Sequence, residues 1–245
     1  MDFLSIEPVT ISYSELIPAY HKLKGEGSQN ISFDKVLVIS CRHTDFTFLI
    51  PCIKELNAKD VNDIFEKWIK PTVGLLYEII TDQDVLFMSA LFQDWANSVG
   101  VRHKASSAYH PQTDGASERK NKTIIPMFAA KKLEDGTHWV KAAPTVQIEV
   151  NTAVSGPRGK SPCHILLGFD PKLGSTPLPK PIPIYSNPAK RFYEAAENLT
   201  KAKIQQTQQA NKKRRASPAY PVGSQVMLST KNLLARYNSS KLSPK

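Results

Sequence analysis

Residues 75–108 read LLYEIITDQDVLFMSALFQDWANSVGVRHKASSA. Leu75 to Thr81 is a short apolar run just after Gly74, the length and composition of a buried strand. Asp82 lies just past its end. From Phe87 to Val99 apolar residues recur at helical spacing until Gly100 closes the stretch, and Val101 to Ala108 reads as a second strand. A strand, a helix and a strand in succession, with an acid at the end of the first strand, place the chain among mixed α/β proteins.

Upstream, Phe3, Leu4 and Ile6 begin a strand, followed by a polar, glycine-containing loop from Lys22 to Ser32 (KLKGEGSQNIS). Val36 to Ile39 and Thr44 to Ile50 (TDFTFLI, ending at Pro51) are β-rich, so the three make an antiparallel meander. Val61, Ile64, Phe65, Trp68 and Ile69 have helical spacing, and Pro71 with Gly74 should end that helix. Downstream, Tyr109 to Gly115 (YHPQTDG) reads as a loop and Ser117 to Leu133 as a helix. Pro126 removes a backbone donor and crowds the carbonyl of Lys122, which predicts a kink or break near Ile125. Trp139 to Asn151 is a further helix.

A chain of 245 residues corresponds to one or two domains on a prior of ~150 residues each. Prolines 171, 177, 179, 181, 183 and 188 mark an extended linker. The expected organisation is a core over 1–170, a Pro-rich linker over 171–188, a basic helical segment over 189–217 with few apolar positions, and an incomplete SH3-like barrel segment over 218–245. No apolar run approaches the ~20 residues of a membrane span. Cys41, Cys52 and Cys163 are too few and too widely spaced for a disulfide framework or a CxxC zinc site.

The net charge of +10 is unevenly spread. Residues 1–100 hold 8 Lys and Arg against 14 Asp and Glu, residues 101–186 hold 12 against 6, and residues 187–245 hold 12 against 2. A basic rear points to a polyanionic partner, although a solvated surface explains a charge total equally well.

Three carboxylates have a context suited to chemistry: Asp2 at the start of the first strand, Asp82 at a strand end and Glu118 on a helix, the last two separated by 35 residues. Hard oxygen ligands in such a place suit Mg²⁺. Composition alone does not single them out from 22 acidic residues.

The words around them do. TDQDVLF (Thr81 to Phe87), SSAYHPQTDGASERKNKT (Ser106 to Thr123) and VLVISCRHTDFTFLIPC (Val36 to Cys52) resemble the integrase core of gypsy-type LTR retrotransposons, with AYHPQTDGASER the most specific of them. Trp139 and GKSPCHILLGFDPKL (Gly159 to Leu173) are similar to the end of that core, and PVGSQVMLSTKNL (Pro221 to Leu233) to the start of its C-terminal domain. The resemblance implies an RNase H-like core, a five-stranded mixed sheet flanked by helices, and assigns the acidic triad to Asp2, Asp82 and Glu118. It further implies Mg²⁺ or Mn²⁺, 3′-end processing and strand transfer into target DNA, homo-oligomers, no membrane, and action in the nucleus.

Within that resemblance, His110, Gln112 and Thr113 of the loop would touch DNA, with His110 more readily structural than a general base. Arg119, Asn121 and Lys122 would contact it from the helix, since Asn121 and Lys122 share the Glu118 face. Lys212, Lys213, Arg214 and Arg215 would add phosphate contacts with DNA, and with RNA, from the tail. Asp84 reads as a turn residue or a support for Asp82, and Trp139 as core. Asp2 directly follows Met1, so the stretch reads as a piece of a polyprotein truncated at both ends, without the zinc-binding domain that precedes such cores. Fraying at that end would misplace Asp2. Two readings therefore stay open: an active DDE-type polynucleotidyl transferase, and a catalytically inactive nucleic-acid-binding remnant of the same fold.

Overall fold

β-Branched and aromatic residues build the first sheet. In the computed structural model, β1 (Asp2–Ser12) pairs antiparallel with β2 (Asn30–Ser40), and β2 with β3 (Thr47–Ile53). The structure describes residues 1–12, 30–106, 111–171, 187–212, 214 and 220–225, with the backbone alone at 12, 30, 111–118 and 135. β2 starts earlier than expected, taking in residues assigned above to the polar loop. The β1–β2 register shifts between Ser5 and Val9, around Pro8, because proline cannot donate to a ladder and is accommodated at a bulge. Pro51 lies inside β3, opposite Val36, and β3 continues past it to Ile53. β3 is the last strand of the order β1-β2-β3, where the missing donor breaks no ladder.

All seven residues of β3 are buried. Its outer edge is closed by α6 (Trp139–Thr152). Asn151 accepts from the Thr47 N–H and donates to the Thr47 carbonyl, each at 2.7 Å, and Gln147 accepts from the Leu49 N–H at 2.8 Å. Four residues of helix rise ~6 Å and two of strand ~6.6 Å, so the two amides match alternate backbone groups of the strand.

β4 (Glu78–Thr81) runs parallel to β5 (Arg102–Ala105). The five expected strands are thus present in the expected order, divided between a three-stranded antiparallel and a two-stranded parallel sheet. The Met1 amine donates to the Ile80 carbonyl at 2.9 Å and ties the start of β1 to β4. Between β4 and β5 the expected single helix is two, α3 (Val85–Met88) and α4 (Ala90–Ser98), because Ser89 leaves the helical conformation to cap α4.

The first helix begins with a capping box between Asn57 and Asp60. It does not stop at Pro71. α1 (Ala58–Ile64) passes through a π-helical turn, Phe65–Ile69, into α2 (Lys70–Val73), where proline at the start of a turn costs no donor, and Gly74 ends it at φ 77°. Phe65, Phe92 and Trp95 pack with ring centroids 5.0–6.2 Å apart. The core formed with Val36, Leu37, Ile50, Phe87, Ile124 and Val146 is fully buried, each large side chain contributing roughly 1.5–3 kcal/mol.

α5 spans Pro111–Asp135 without interruption, which corrects two expectations. The stretch from Pro111 to Gly115 is helix, not loop, and Pro126 breaks nothing. Pro126 lies on the exposed face, and so does Lys122, whose carbonyl loses its partner, while Ile124 and Phe128 anchor the opposite face in the core.

α7 (Pro162–Leu167) follows, capped by Ser161. α8 (Pro188–Lys212) departs from a purely solvated helix: Arg191 and Ala195 are buried, Glu194 pairs with Lys160, and Asn198 donates to the Arg158 carbonyl at 3.1 Å. The chain divides into two compact units, Met1–Lys203 and Ile204–Lys245. In the second, the described residues are the end of α8, Arg214 and 220–225; the last hold a turn and no strand, so the expected strand does not begin at Tyr220, and 226–229 of it lie outside the described residues. Among the described residues no helix is long and apolar enough to cross a membrane.

Candidate active site

Asp2 and Asp82 meet because β1 begins where β4 ends. Asp2 is not frayed: it pairs with Val38 in the β1–β2 ladder, next to the Met1–Ile80 bond, and its carboxylate accepts from Asn121 Nδ2 at 2.9 Å. Asp82 follows the last residue of β4, and its Oδ1 accepts from the Asp84 N–H at 3.2 Å. Asp84 itself caps α3 by accepting from the Leu86 N–H at 2.9 Å, so it serves as both turn residue and support.

The two carboxyls lie within hydrogen-bonding reach of each other. The pKa of Asp82 is pushed up to about 6. Burial is the main cause; the Asp84 N–H pulls the other way, and the contact with Asp2 and its charge raise it further.

Behind Asp82 stands a brace that the sequence reading missed. Thr81 Oγ1 donates to the Asp82 carbonyl at 2.8 Å, so it accepts from His103 Nε2–H at 2.9 Å. Burial lowers the pKa of His103 and keeps the ring neutral, packed edge-on against Phe92. Gln83 Nε2 donates to the Ser106 carbonyl at 3.0 Å and closes the same turn.

Glu118 lies in α5, three residues before Asn121, and therefore on the helix face that reaches Asp2. Its side chain is outside the described residues, and among the described residues no group of three or more His, Cys, Asp or Glu is placed to hold a metal. The donors present nonetheless fit a hard divalent cation. Two carboxyls share one place, and Asn121 Oδ1 beside them is buried without a hydrogen-bond partner among the described residues.

Arg119 and Lys122 are exposed on α5, Lys212 at the end of α8, and Arg214 beyond it. Gln112 and Thr113 fall in the first turn of α5 with only their backbone described, while His110, Lys213 and Arg215 lie outside the described residues. Trp139 is core, as expected, its indole donating to the Glu7 carbonyl at 2.9 Å.

No family model matches the chain. Over 151 residues, 62% of its length, it is 28% identical to the Transposon Tf2-3 polyprotein of Schizosaccharomyces pombe, and equally to the Tf2-4 polyprotein of that yeast. It spans 11% of the length of these relatives. Among solved structures it is similar to a chain of the simian T-cell lymphotropic virus intasome in complex with PP2A regulatory subunit B56 gamma, with a TM-score of 0.50 and 16% identity over 74% of this chain and 58% of that one. It is also similar to the HTLV-2 integrase catalytic core domain in complex with magnesium, with a TM-score of 0.47 and 17% identity over 67% of this chain and 95% of that one. The fold is the RNase H-like mixed α/β fold of integrase cores, and the resemblance to LTR-retrotransposon polyproteins holds over the larger part of the chain.

Proposed function

We propose that this chain is the catalytic core of a retrotransposon integrase, which trims element ends and joins them to target DNA by polynucleotidyl transfer. The observation that carries the reading is the meeting of Asp2 and Asp82 at adjoining strand ends, beside the α5 face that holds Asn121 and Glu118. Two carboxyls in partial burial are unfavourable unless a cation is shared between them. Asp2, Asp82 and Glu118 would hold Mg²⁺ or Mn²⁺, which when bound activates the attacking oxygen and offsets charge on the phosphate.

The protein's own groups set that arrangement. Asn121 orients Asp2, and the Asp84 N–H orients Asp82. The His103–Thr81 pair holds the backbone at Asp82. Arg119 and Lys122 supply exposed charge for phosphates on the same helix, and the second unit carries exposed charge of its own at Lys212 and Arg214. DNA is the partner this supports, taken by a homo-oligomer.

The test is joining of a labelled oligonucleotide to a plasmid with Mg²⁺ or Mn²⁺. Wild type should join only with metal. Glu118→Gln should lower joining by more than ~100-fold, because the amide keeps the shape and removes the charge, with DNA affinity retained. DNA binding by wild type without metal-dependent joining would favour the inactive remnant instead.

A further inference from the structure

Asp45 is the one non-glycine residue with positive φ among the described residues, at 67°, in the turn between β2 and β3. The turn is closed by Cys41 N–H to Phe46 O and Asp45 N–H to Cys41 O, each at 2.8 Å. In this conformation its carboxylate receives two cations from distant parts of the chain. Lys120 of α5 reaches it at 3.3 Å and Arg158 at 3.5 Å. Arg158 also donates to the carbonyls of His43 and Arg42 at 2.8 Å, so the cation that touches Asp45 is itself fixed to the same turn.

The side chains are largely shielded: Lys120 is 17% exposed, Asp45 28% and Arg158 10%. The ion pair from α5 to Glu7 is of a different kind, with Lys132 and Glu7 at 65% and 74% exposure, where solvent screens the attraction. Lys120 is adjacent to Asn121, which holds Asp2, and two residues from Glu118. A helix held at Lys120 cannot rotate or slide without moving Asn121.

We propose that Asp45 is a positioning residue: through Lys120 it fixes the rotation and height of α5, and with them the placement of Asn121 and Glu118 relative to Asp2 and Asp82. Asp45 acts through the helix, by way of its pair with Lys120. The proposal rests on the integrase reading for its catalytic consequence, but the clamp itself is a property of the fold.

The experiment uses the full chain with Asp45→Asn, Lys120→Gln and the double variant. Asparagine tolerates the left-handed conformation, so Asp45→Asn removes the charge and keeps the turn. Two readouts are taken. Amide hydrogen exchange over residues 120–124 should speed up in each single variant while exchange in β2 and β3 is unchanged. The turnover of strand joining should fall by ~tenfold with the apparent KM for DNA nearly constant, since a small misplacement at the site is felt in the chemical step. The double variant should be no worse than Asp45→Asn alone, because that change already removes the pair with Lys120.

Unchanged exchange in α5, or effects of the two variants that multiply, would overturn the clamp. Faster exchange with unchanged turnover would overturn the positioning role. If wild type joins no DNA at all, the integrase reading fails, and the exchange data alone decide whether Asp45 holds α5.

Discussion

At the scale of single residues, Asp82 shows what the site costs in the absence of a cation. Its carboxyl has a pKa raised to about 6, above the ordinary value of 3.8. The folded chain therefore binds this proton more tightly than the unfolded chain. The stabilising effect of protonation is present at low pH and is lost as pH rises from about 4 through 6, beyond which the penalty is constant. After allowance for solvent the penalty is roughly 1–2 kcal/mol. Asp82→Asn should raise the Tm of the metal-free protein at pH 7 and flatten its fall between pH 4 and 6, while abolishing joining. Thermal melts in EDTA at several pH values measure this. A melting temperature for Asp82→Asn equal to or below wild type at pH 7 would show that the carboxyl pair carries no such penalty. Asp82 and Glu118 were singled out by the motif words around them, and Asp2 by what the resemblance implies. The Thr81–His103 brace was not, because it depends on the parallel register that sets Ile79 opposite His103, and no local pattern encodes a register between strands far apart in sequence. Asp45 was equally hidden: its pairs with Lys120 and Arg158 join parts of the chain far apart in sequence.

At the scale of elements, local rules succeeded where they met a buried face and failed where they met a proline. Pro71 was read with Gly74 as the end of a helix and Pro126 as a kink or break; the helices run through both prolines, and Gly74 ends the first. Proline penalises a helix by a fixed local amount, while the opposing term, burial of Ile124 and Phe128 on the far face of α5, is tertiary. Pro126→Ala should therefore restore a bond to the Lys122 carbonyl and stabilise the chain by about 1–3 kcal/mol in urea unfolding. No gain would mean that the helix has already relaxed around the ring. The α6 amides give the opposite case. Asn151→Ala would strand the buried N–H and carbonyl of Thr47, for a loss of roughly 2–4 kcal/mol. Gln147→Ala, which removes a single bond to Leu49, should cost less. Equal losses would argue against the edge-closing role of Asn151.

For the whole molecule, the boundary of the basic tail moves. Composition suggested a unit starting near residue 189, because the few apolar positions of α8 hide the anchoring of its first turns. Arg191, Glu194 and Asn198 belong to the core, and the compact unit runs to Lys203. Residues 204–245 carry eight Lys and Arg and no Asp or Glu. Deleting 204–245 should leave the melting temperature of the rest nearly unchanged, weaken DNA binding and flatten its salt dependence, each lost phosphate contact removing ~0.9 from the slope. Deleting from residue 187 should destabilise the core as well. An unaltered salt slope in the shorter deletion would assign binding to α5 and leave the tail as solvated surface.

The amides on α6 have a consequence for how copies of this chain can grow into larger bodies. A sheet recruits further strands through bare backbone at its rim, the route by which β-rich proteins polymerise. With Thr47 and Leu49 already engaged, the β3 rim is closed to that traffic. Growth by strand addition at β3 is therefore blocked, and a variant that frees β3, such as Asn151→Ala, becomes the natural place to look for fibres.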